Sequence, residues 1–412
     1  MTERSSLRAV PTEDRAWLLA ALDDALGGGK PILPVPPGTD PAVVRELQAE
    51  NLPEGTAVVV RTSGSSGVPK SVALSADALR ASACATIDAL LPAVGRGAPG
   101  GHDADASDGP SRGGQWLVTL PGHLISGLQM LVRSRLAGVA PVFLDGPFDP
   151  VGLLEAADRM QHAQRFVSLV PVQLARLLDV AEADPAAADI LRGFAGVLVG
   201  GQATPLPLRS RAHALGISLR RSYGMTETSG GCVYDGVEIG DTRVRIREGE
   251  VQLAGSCLAL GYVADPELTG QRFIDDEDRR GVRTRWYRTG DAGDLLGGML
   301  TVNGRLDRVI VSGGVNVSLD EVERVVRERP GWSGAVALGV PHPEWGERVV
   351  LAVEAGAGAE PFDDVRAAVK RHLGPAAAPA WATETDELPR LPGGKPDLAA
   401  IAEWLRSIGS TA

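Results

Sequence analysis

The stretch Thr62-Ser63-Gly64-Ser65-Ser66-Gly67-Val68-Pro69-Lys70 joins two short apolar segments, 57–60 and 71–74. Turn-forming residues bound both segments, so the pattern predicts a strand, a loop and a second strand. Glycines and hydroxyl side chains let such a loop curl around an anion and donate N–H and O–H groups to it. Lys70 adds a positive charge. The stretch therefore predicts a phosphate-binding loop, with an ordinary hairpin turn as the alternative.

This loop differs from a Walker A loop, in which a Gly-Lys-Ser/Thr sequence opens a helix. Here Pro69 precedes Lys70, and a predicted strand follows the lysine. In a strand–loop–strand context no helix dipole helps to hold the anion. Binding would then depend on backbone N–H groups, hydroxyl groups and the lysine ammonium.

The bulk composition narrows the class of protein. A chain of 412 residues is long enough for two or three domains. Acidic residues outnumber basic ones, 52 to 41, for a formal charge of -11, which argues against a general nucleic-acid or anionic-membrane surface. Three widely spaced cysteines without a CxxC pair argue against a disulfide framework or structural zinc. With a polar N-terminus and no apolar run of membrane-spanning length, we expect a cytoplasmic protein.

The order of predicted elements indicates an α/β protein with several parts. Strand-like and helix-like stretches alternate from about 116 to 222, which predicts a parallel sheet. Short alternating runs with frequent glycines between 233 and 302 predict a small β subdomain. From 309 onward the chain restarts as a compact α+β unit of about a hundred residues. The segment 95–114 is rich in Gly, Asp and Ser and predicts a flexible surface loop.

Four more motifs follow the phosphate loop in a set order. They are 222–228 (SYGMTET), 287–291 (YRTGD), 303–317 (NGRLDRVIVSGGVNV) and 391–396 (LPGGKP). Together with the loop, this order resembles the adenylate-forming superfamily of acyl- and aryl-CoA synthetases, nonribosomal adenylation domains and luciferases. The resemblance runs from residue 62 to about 397, which is most of the chain.

The resemblance implies a fold of two domains. A large N-terminal α/β domain with a β subdomain, residues 1–306, would bind ATP and the acyl substrate. A small mobile α+β domain, residues 307–412, would act as a lid that rotates about a hinge at Asp307. Hinges absorb changes in backbone dihedral angles between rigid units.

The resemblance also implies ATP- and Mg²⁺-binding residues in the N-terminal domain. The β- and γ-phosphates would lie against the loop residues Thr62, Ser63, Gly64, Ser65, Ser66, Gly67 and Lys70. Tyr223 would stack on adenine beside Gly224, which suggests close ligand approach, although a core tyrosine is the alternative. Thr226 would donate its hydroxyl to the α-phosphate or to the substrate carboxylate. Glu227 would bind Mg²⁺, which prefers oxygen ligands; a surface glutamate is the alternative.

Further residues would complete the site. Asp291 would accept hydrogen bonds from both ribose hydroxyls, with a turn aspartate as the alternative, and Arg305 would also contact the nucleotide. Gly313 and Gly314 would line the tunnel for the pantetheine arm of CoA. Lys395 would bring an ammonium to the substrate carboxylate and α-phosphate, where it stabilises charge that develops in the transition state.

Three features narrow the resemblance to short o-succinylbenzoate–CoA ligases of menaquinone biosynthesis. They are the 61 residues before Thr62, the segment 121–128 (PGHLISGL) and the segment 199–205 (VGGQATP). His123 matches the family's gating position beside the acyl pocket, with a helix-cap histidine as the alternative. A dianionic substrate needs a cation for its second carboxylate; the candidates left open are Arg133, Arg209, Arg220 and Arg221.

The resemblance therefore implies an acid–thiol ligase that uses ATP, Mg²⁺ and CoA and forms an acyl-adenylate. Its small-molecule acid would be o-succinylbenzoate. A CoA ligase for another aryl or medium-chain acid remains an alternative, as does a non-catalytic nucleotide-binding protein of the same fold. The oligomeric state stays open, with a homodimer as one option.

Overall fold

The computed structural model describes residues 7–62, 70–91, 113–277, 280–354, 358–391 and 395–409. The chain divides into two compact units. Unit 1 comprises Met1–Thr204, Leu208–Val244 and Leu253–Tyr287, and unit 2 comprises Pro205–Pro207, Arg245–Gln252 and Arg288–Ala412. The boundary at 287/288 precedes the predicted domain boundary at 306/307, so residues 288–306 cluster with the C-terminal part. The hinge at Asp307 stays a prediction.

Strands and helices alternate through much of the chain. The strands are β1 Arg8–Pro11, β2 Ile32–Val35, β3 Thr56–Thr62, β4 Lys70–Ser75, β5 Gln115–Val118, β6 Val142–Phe143, β7 Arg165–Leu169, β8 Gly196–Val199, β9 Leu219–Met225, β10 Gly230–Tyr234, β11 Val237–Glu238, β12 Arg243–Arg247, β13 Glu250–Ala254, β14 Gly261–Tyr262, β15 Phe273–Glu277, β16 Arg283–Leu296, β17 Met299–Arg305, β18 Val309–Ser312, β19 Val315–Ser318, β20 Val336–His342, β21 Gly346–Glu354 and β22 Ala382–Thr385. The helices are α1 Arg15–Leu26, α2 Pro41–Ala49, α3 Ala76–Leu90, α4 Ile125–Ala137, α5 Pro150–Asp158, α6 Pro171–Ala183, α7 Pro185–Arg192, α8 Leu206–Ala214, α9 Pro266–Arg272, α10 Leu319–Arg327, α11 Phe362–Leu373 and α12 Leu398–Gly409.

Unit 1 contains two main sheets. One has the strand order β1-β2-β3-β4-β14, in which β3 and β4 form the predicted antiparallel pair. The other has the order β11-β10-β9-β8-β7-β5-β6, and its strands from β6 to β9 run parallel. The parallel α/β sheet predicted from the alternating pattern is therefore confirmed, with β10 and β11 added antiparallel at one edge.

Helices α3 and α4 pack against each other and against β10 in unit 1. Helix α3 begins directly after Ser75, whose side chain accepts a hydrogen bond from the Ala78 N–H, and Asp77 lies in its first turn. Helix α4 buries almost every residue from Gly127 to Ser134, polar side chains included. This burial places polar groups of α4 in the protein interior.

Unit 2 contains the β16–β17 hairpin and a sheet of order β19-β18-β21-β20, with β22 paired to β21. Helices α10 and α11 pack together and share a core with this sheet, which includes Val322, Leu351 and Val365. The Ser318 side chain accepts from the Glu321 N–H at 3.3 Å at the start of α10, which is one half of a capping box. The predicted C-terminal α+β unit is thus present.

The structure differs from the sequence pattern at β2, and most of the predicted loop 95–114 cannot be compared with it. Residues 30–37 look like a proline-rich connection, but β2 lies there between β1 and β3 and owes its conformation to long-range pairing. Of the predicted flexible loop 95–114, residues 95–112 lie outside the described part of the chain. Within the described residues, no helix has the length and apolar character needed to cross a bilayer.

Candidate active site

The phosphate-binding loop begins and ends on paired strands of unit 1. Thr62 at the end of β3 lies opposite Lys70 at the start of β4, and the Thr62 hydroxyl lies 3.5 Å from the Lys70 carbonyl oxygen. The intervening candidates Ser63, Gly64, Ser65, Ser66 and Gly67 lie outside the described residues. The described residues thus confirm that a strand leads into the loop and a strand follows it.

Thr226 and Glu227 lie in a buried 3₁₀ turn between β9 and β10. The Thr228 hydroxyl accepts from the Met225 N–H at 3.0 Å and donates to the Gly230 carbonyl at 2.7 Å, which fixes the turn. Because the turn is tied at both ends, the side chains of Thr226 and Glu227 keep defined positions. Glu227 is only 8% exposed, so the alternative of a surface glutamate is wrong.

Tyr262 connects Glu227 to Lys70. Its hydroxyl donates to Glu227 Oε1 at 2.8 Å, and Lys70 Nζ lies 5.9 Å from the centre of its ring, within cation–π range. Burial and the neighbouring Glu227 carboxylate raise the pKa of Tyr262 above its ordinary value, so the phenol stays a donor at neutral pH. The sequence gives no sign of Tyr262, because β14 has two residues and no periodic pattern marks it.

Mg²⁺ at nucleotide sites is commonly held by one or two carboxylates together with phosphate oxygens and water, and it offsets phosphate charge. Among the described residues, no group of three or more His, Cys, Asp or Glu side chains could hold a metal ion. A single buried carboxylate at Glu227, oriented by Tyr262, fits a magnesium ion that arrives with its nucleotide.

Replacing Tyr262 with phenylalanine should raise the Mg²⁺ concentration needed for half-maximal ATP–pyrophosphate exchange about tenfold, because Glu227 loses a charge-assisted hydrogen bond. The free energy of unfolding should fall by about 1–3 kcal/mol, since the carboxylate stays buried without its donor. A urea titration measures the second effect. Tyr234→Phe, which removes a buried hydroxyl bonded to Thr86 and not to Glu227, is the control. An unchanged magnesium requirement in Tyr262→Phe would contradict the assignment.

Tyr223 and Gly224 lie on β9, beside this turn. Tyr223 is half-buried, and Gly224 lies opposite Gly231 on β10. A Cβ at position 224 would come within 2.2 Å of the Gly230 carbonyl oxygen. The glycine is therefore required by the contact between two backbones. The sequence interpretation of Gly224 as a sign of ligand approach is not needed to explain it.

His123 lies in the turn before α4. Its Nδ1 atom is buried and has no hydrogen-bond partner among the described residues, and burial lowers the pKa of the imidazole. The N-cap of α4 is Leu124, without a side-chain cap bond. The alternative of a helix-cap histidine is therefore wrong. The lowered pKa favours a neutral imidazole, and its Nδ1 atom is unpaired among the described residues.

Arg133 differs from the other candidate cations for a second carboxylate. It is 3% exposed, it stacks 4.8 Å from the Trp116 ring centre, and no carboxylate in the described chain pairs with it. Arg220 and Arg221 both pair with Asp235, at 3.4 and 3.2 Å. Burial lowers the pKa of the Arg133 guanidinium, which nevertheless stays charged at any physiological pH. A buried, unpaired guanidinium is costly unless an anion binds it.

Buried polar side chains connect α3, α4 and the residues after the Glu227 turn. Ser82 on α3 donates to the Ser229 carbonyl at 2.9 Å, and a Cβ at Gly230 would lie 3.2 Å from Gln129 Cγ. Gln129 Oε1, Arg133 Nε and Ser229 Oγ are buried, and none of them has a hydrogen-bond partner in the part of the chain that the structure describes. These unpaired buried atoms include both hydrogen-bond donors and acceptors.

In unit 2, the β16–β17 hairpin brings three predicted residues together. Asp291 lies opposite Arg305 in register, and Arg305 Nη1 lies 3.3 Å from Asp291 Oδ1. Arg305 also donates to both oxygens of Asp307, at 3.0 and 2.9 Å. The Asp291 N–H donates to the Thr289 hydroxyl at 2.9 Å. The predicted ribose ligand is buried in a strand, so the alternative of a turn aspartate is wrong.

Gly313 and Gly314 form the two-residue turn between β18 and β19, with φ angles of 58° and 78°. Positive φ at both positions is what a type I′ hairpin turn requires, which explains both glycines without a ligand. Lys395 is exposed and follows 392–394, which lie outside the described residues. Its carbonyl accepts from the Leu391 N–H at 2.8 Å.

The predicted site residues thus fall into two sets. Unit 1 holds Thr62, Lys70, His123, Tyr223, Gly224, Thr226 and Glu227, and unit 2 holds Asp291, Arg305, Gly313, Gly314 and Lys395. The structure connects Lys70 with Glu227 through Tyr262, and it connects Asp291 with Arg305 and Asp307. It also adds Tyr262, Gln129 and Ser229, which no sequence motif marks.

Comparisons with known proteins identify the family. Residues 11–263 match the family model of AMP-binding enzymes, and residues 321–395 match that of the AMP-binding enzyme C-terminal domain. The chain belongs to the AMP-binding enzyme family, as its motifs predict. It is an AMP-forming acid–thiol ligase, a class that uses ATP, Mg²⁺ and CoA.

Similar proteins indicate a narrower group. A probable 2-succinylbenzoate–CoA ligase of Mycobacterium tuberculosis is 37% identical over 395 residues, which cover 94% of each chain. The 2-succinylbenzoate–CoA ligase of Salmonella typhimurium is 31% identical over 73% of this chain and 59% of its own length. The structure of an Escherichia coli MenE variant with bound OSB-AMS has a TM-score of 0.72 and 25% identity, covering 97% of this chain and 87% of that one.

Proposed function

We propose that the protein joins 2-succinylbenzoate (o-succinylbenzoate) to CoA through an acyl-adenylate, as a step of menaquinone biosynthesis. Relatives that carry this activity in their names support the proposal, as does one feature of the chain itself. That feature is Arg133, a buried guanidinium without a carboxylate partner in the described residues.

The substrate explains why a charge is kept in the interior. 2-Succinylbenzoate has two carboxylates, of which one is activated and the other stays ionised. A buried cation costs several kcal/mol when unpaired and much less when a carboxylate binds it with good geometry. The planar guanidinium of Arg133 can donate two parallel hydrogen bonds to a carboxylate. A monocarboxylic acid would leave this cation without a partner.

The buried polar side chains of α4 lie near residues proposed to hold ATP. Gln129 contacts the backbone near Gly230, three residues beyond Glu227. Arg133 follows Gln129 by four residues on α4, and one helical turn advances about 5.4 Å. An acid with one carboxylate near Thr226 could therefore extend its second carboxylate along α4 toward Arg133.

In the first half-reaction, a carboxylate oxygen of the acid attacks the α-phosphorus of ATP, and the bond to pyrophosphate breaks. Repulsion between the two anions is the main barrier, so positioning and positive charge should supply most of the catalysis. We assign Lys70 to the departing phosphates, Thr226 to the reacting carboxylate or α-phosphate, and Asp291 with Arg305 to the nucleotide. Lys395 adds its ammonium where negative charge builds.

In the second half-reaction, the CoA sulfur attacks the carbonyl carbon of the mixed anhydride, AMP leaves, and the thiol loses its proton. We propose that the C-terminal domain turns about Asp307 between the two steps and withdraws Lys395. His123, with a neutral ring and an open Nδ1, borders the acyl pocket as a gate. Gly313 and Gly314 leave room for the pantetheine arm. Cytoplasmic location and a homodimeric state complete the proposal.

ATP–pyrophosphate exchange over a panel of acids tests the substrate. The panel comprises 2-succinylbenzoate, 3-benzoylpropionate (which lacks the ring carboxylate), benzoate and a medium-chain fatty acid. We expect strong exchange with 2-succinylbenzoate and at least a hundredfold lower kcat/KM with the others, about the effect of leaving a buried charge unpaired. Exchange with other acids alone would overturn the substrate. No exchange with any acid would favour a nucleotide-binding protein.

A further inference from the structure

We propose that Glu250 is a positioning residue for nucleotide recognition, which holds the strand before Asp291 so that this carboxylate can accept hydrogen bonds from the ribose hydroxyls. The inference rests on the proposed function, because Asp291 is assigned to the nucleotide there. Glu250 begins β13, which pairs with β16, the strand that contains Asp291. It is 4% exposed, and a buried carboxylate is costly unless it is hydrogen-bonded or paired. Its partners therefore indicate its role.

The Glu250 carboxylate holds two residues of β16 immediately before Asp291. One oxygen, Oε1, accepts from the Gly290 N–H at 2.9 Å. The other, Oε2, accepts from Arg288 Nε at 2.8 Å and lies 3.4 Å from the amide nitrogen of Gln252. Both oxygens are thus used by donors of the protein, so Glu250 acts on the strand and not on a ligand.

Gly290 is the point at which the chain turns into Asp291. Its φ angle is 75°, in the left-handed region that residues with a side chain rarely adopt. The strand therefore leaves extended geometry one residue before the carboxylate. A glycine can leave this conformation easily, because no Cβ restricts its backbone. The hydrogen bond from its N–H to Glu250 stabilises the conformation and so fixes the direction in which the chain enters Asp291.

Thr289 provides a second connection between the same two strands. Its hydroxyl donates to the Val251 carbonyl oxygen at 2.7 Å and accepts from the Asp291 N–H at 2.9 Å. Residues 250 and 251 of β13 thus contact the three consecutive residues that precede Asp291. A carboxylate that accepts from two neighbouring hydroxyl groups depends on such fixed geometry, because a small displacement weakens both bonds.

The test measures how strongly each variant distinguishes ATP from 2′,3′-dideoxy-ATP, which lacks both ribose hydroxyls, in ATP–pyrophosphate exchange. Glu250→Gln keeps the shape of the side chain but removes its charge and one of its two acceptor oxygens. It should lower kcat/KM for ATP about tenfold, as expected for weakened hydrogen bonds to a charged group. For dideoxy-ATP, kcat/KM should change less than twofold, as should the KM for 2-succinylbenzoate.

Two further positions serve as control and second test. Glu248→Gln removes the same charge at an exposed position two residues away, and it should leave both kcat/KM values unchanged. Thr289→Val breaks the second connection and should reduce the preference for ATP in the same way, which keeps the inference testable if Glu250→Gln does not fold. Thr289→Ser keeps the hydroxyl and should restore the wild-type preference.

The nucleotide pair separates positioning from general damage. An equal fall of kcat/KM for ATP and dideoxy-ATP in Glu250→Gln, or no change for either, would overturn the inference while leaving the proposed function standing. A wild-type enzyme that uses both nucleotides equally well would show that Asp291 does not bind the ribose, and the role of Glu250 would be refuted with it. Absence of wild-type exchange with every acid would instead refute the proposed function.

Discussion

Replacing Lys395 with alanine should lower the rate of adenylate formation by about 10²–10³, the usual effect of removing one group that stabilises developing charge. Thioester formation from supplied acyl-adenylate should fall less than about threefold, because the ammonium takes no part in that step. The two rates are measured separately, by ATP–pyrophosphate exchange and by single-turnover reaction of purified adenylate with CoA.

The setting of Lys395 favours a catalytic role over that of a solvated tail lysine. Its backbone is tied by the hydrogen bond from Leu391, next to the bridge between Arg390 and Pro396. The side chain is exposed on unit 2, so its loss removes little packing. Lys370, which is exposed on α11 of the same unit, provides a matched control, and Lys370→Ala should affect neither step. Equal loss of both half-reactions in Lys395→Ala would argue against rotation about Asp307.

Replacing Arg133 with methionine should reduce kcat/KM for 2-succinylbenzoate about 30- to 1,000-fold, because a bound carboxylate would be left buried without its cation. Activity with 3-benzoylpropionate should stay the same or rise. The variant should therefore lose most of the preference for a diacid, which is measured as the ratio of the two kcat/KM values.

The same substitution should not destabilise the folded protein. Methionine has a similar length, and a buried charge without a partner costs several kcal/mol, so its removal should be neutral or stabilising. Arg135, two residues further along α4, is half-exposed and paired with Asp23, so Arg135→Met is the control and should leave selectivity unchanged. If Arg133→Met lowered activity with both acids equally, Arg133 would be a structural residue and the substrate assignment would lose its main support.

Local signals predicted a large part of the fold. The start of helix α3 near Ala76 is readable from Ser75 and Asp77, and β3 and β4 are readable from their apolar runs and the turn residues between them. The strands β1 and β2 were missed because their conformation comes from parallel pairing over long sequence distances. Helix α7 was overlooked although Asp184 caps it and Pro185 opens it, a readable start signal.

For the candidate site, motifs identified the residues that would contact ATP. They did not identify the residues that position those ATP-contacting side chains. Glu227 and Asp291 stand in recognisable sequences, whereas Tyr262 meets Glu227 from 35 positions away along the chain. Arg133 was one of four arginine candidates, and its burial beside Trp116 distinguishes it. Such pairs arise from packing, which a single sequence does not display.

The origin of one oxygen atom tests the proposed chemistry most directly. The enzyme is incubated with ATP, CoA and 2-succinylbenzoate labelled with ¹⁸O in its carboxylates. The masses of AMP and of the thioester are then measured by mass spectrometry. If a carboxylate oxygen attacks the α-phosphorus and the CoA sulfur then displaces AMP, each AMP carries a single ¹⁸O atom and the thioester has lost it. Unlabelled AMP, or ADP together with labelled phosphate, would contradict an acyl-adenylate pathway.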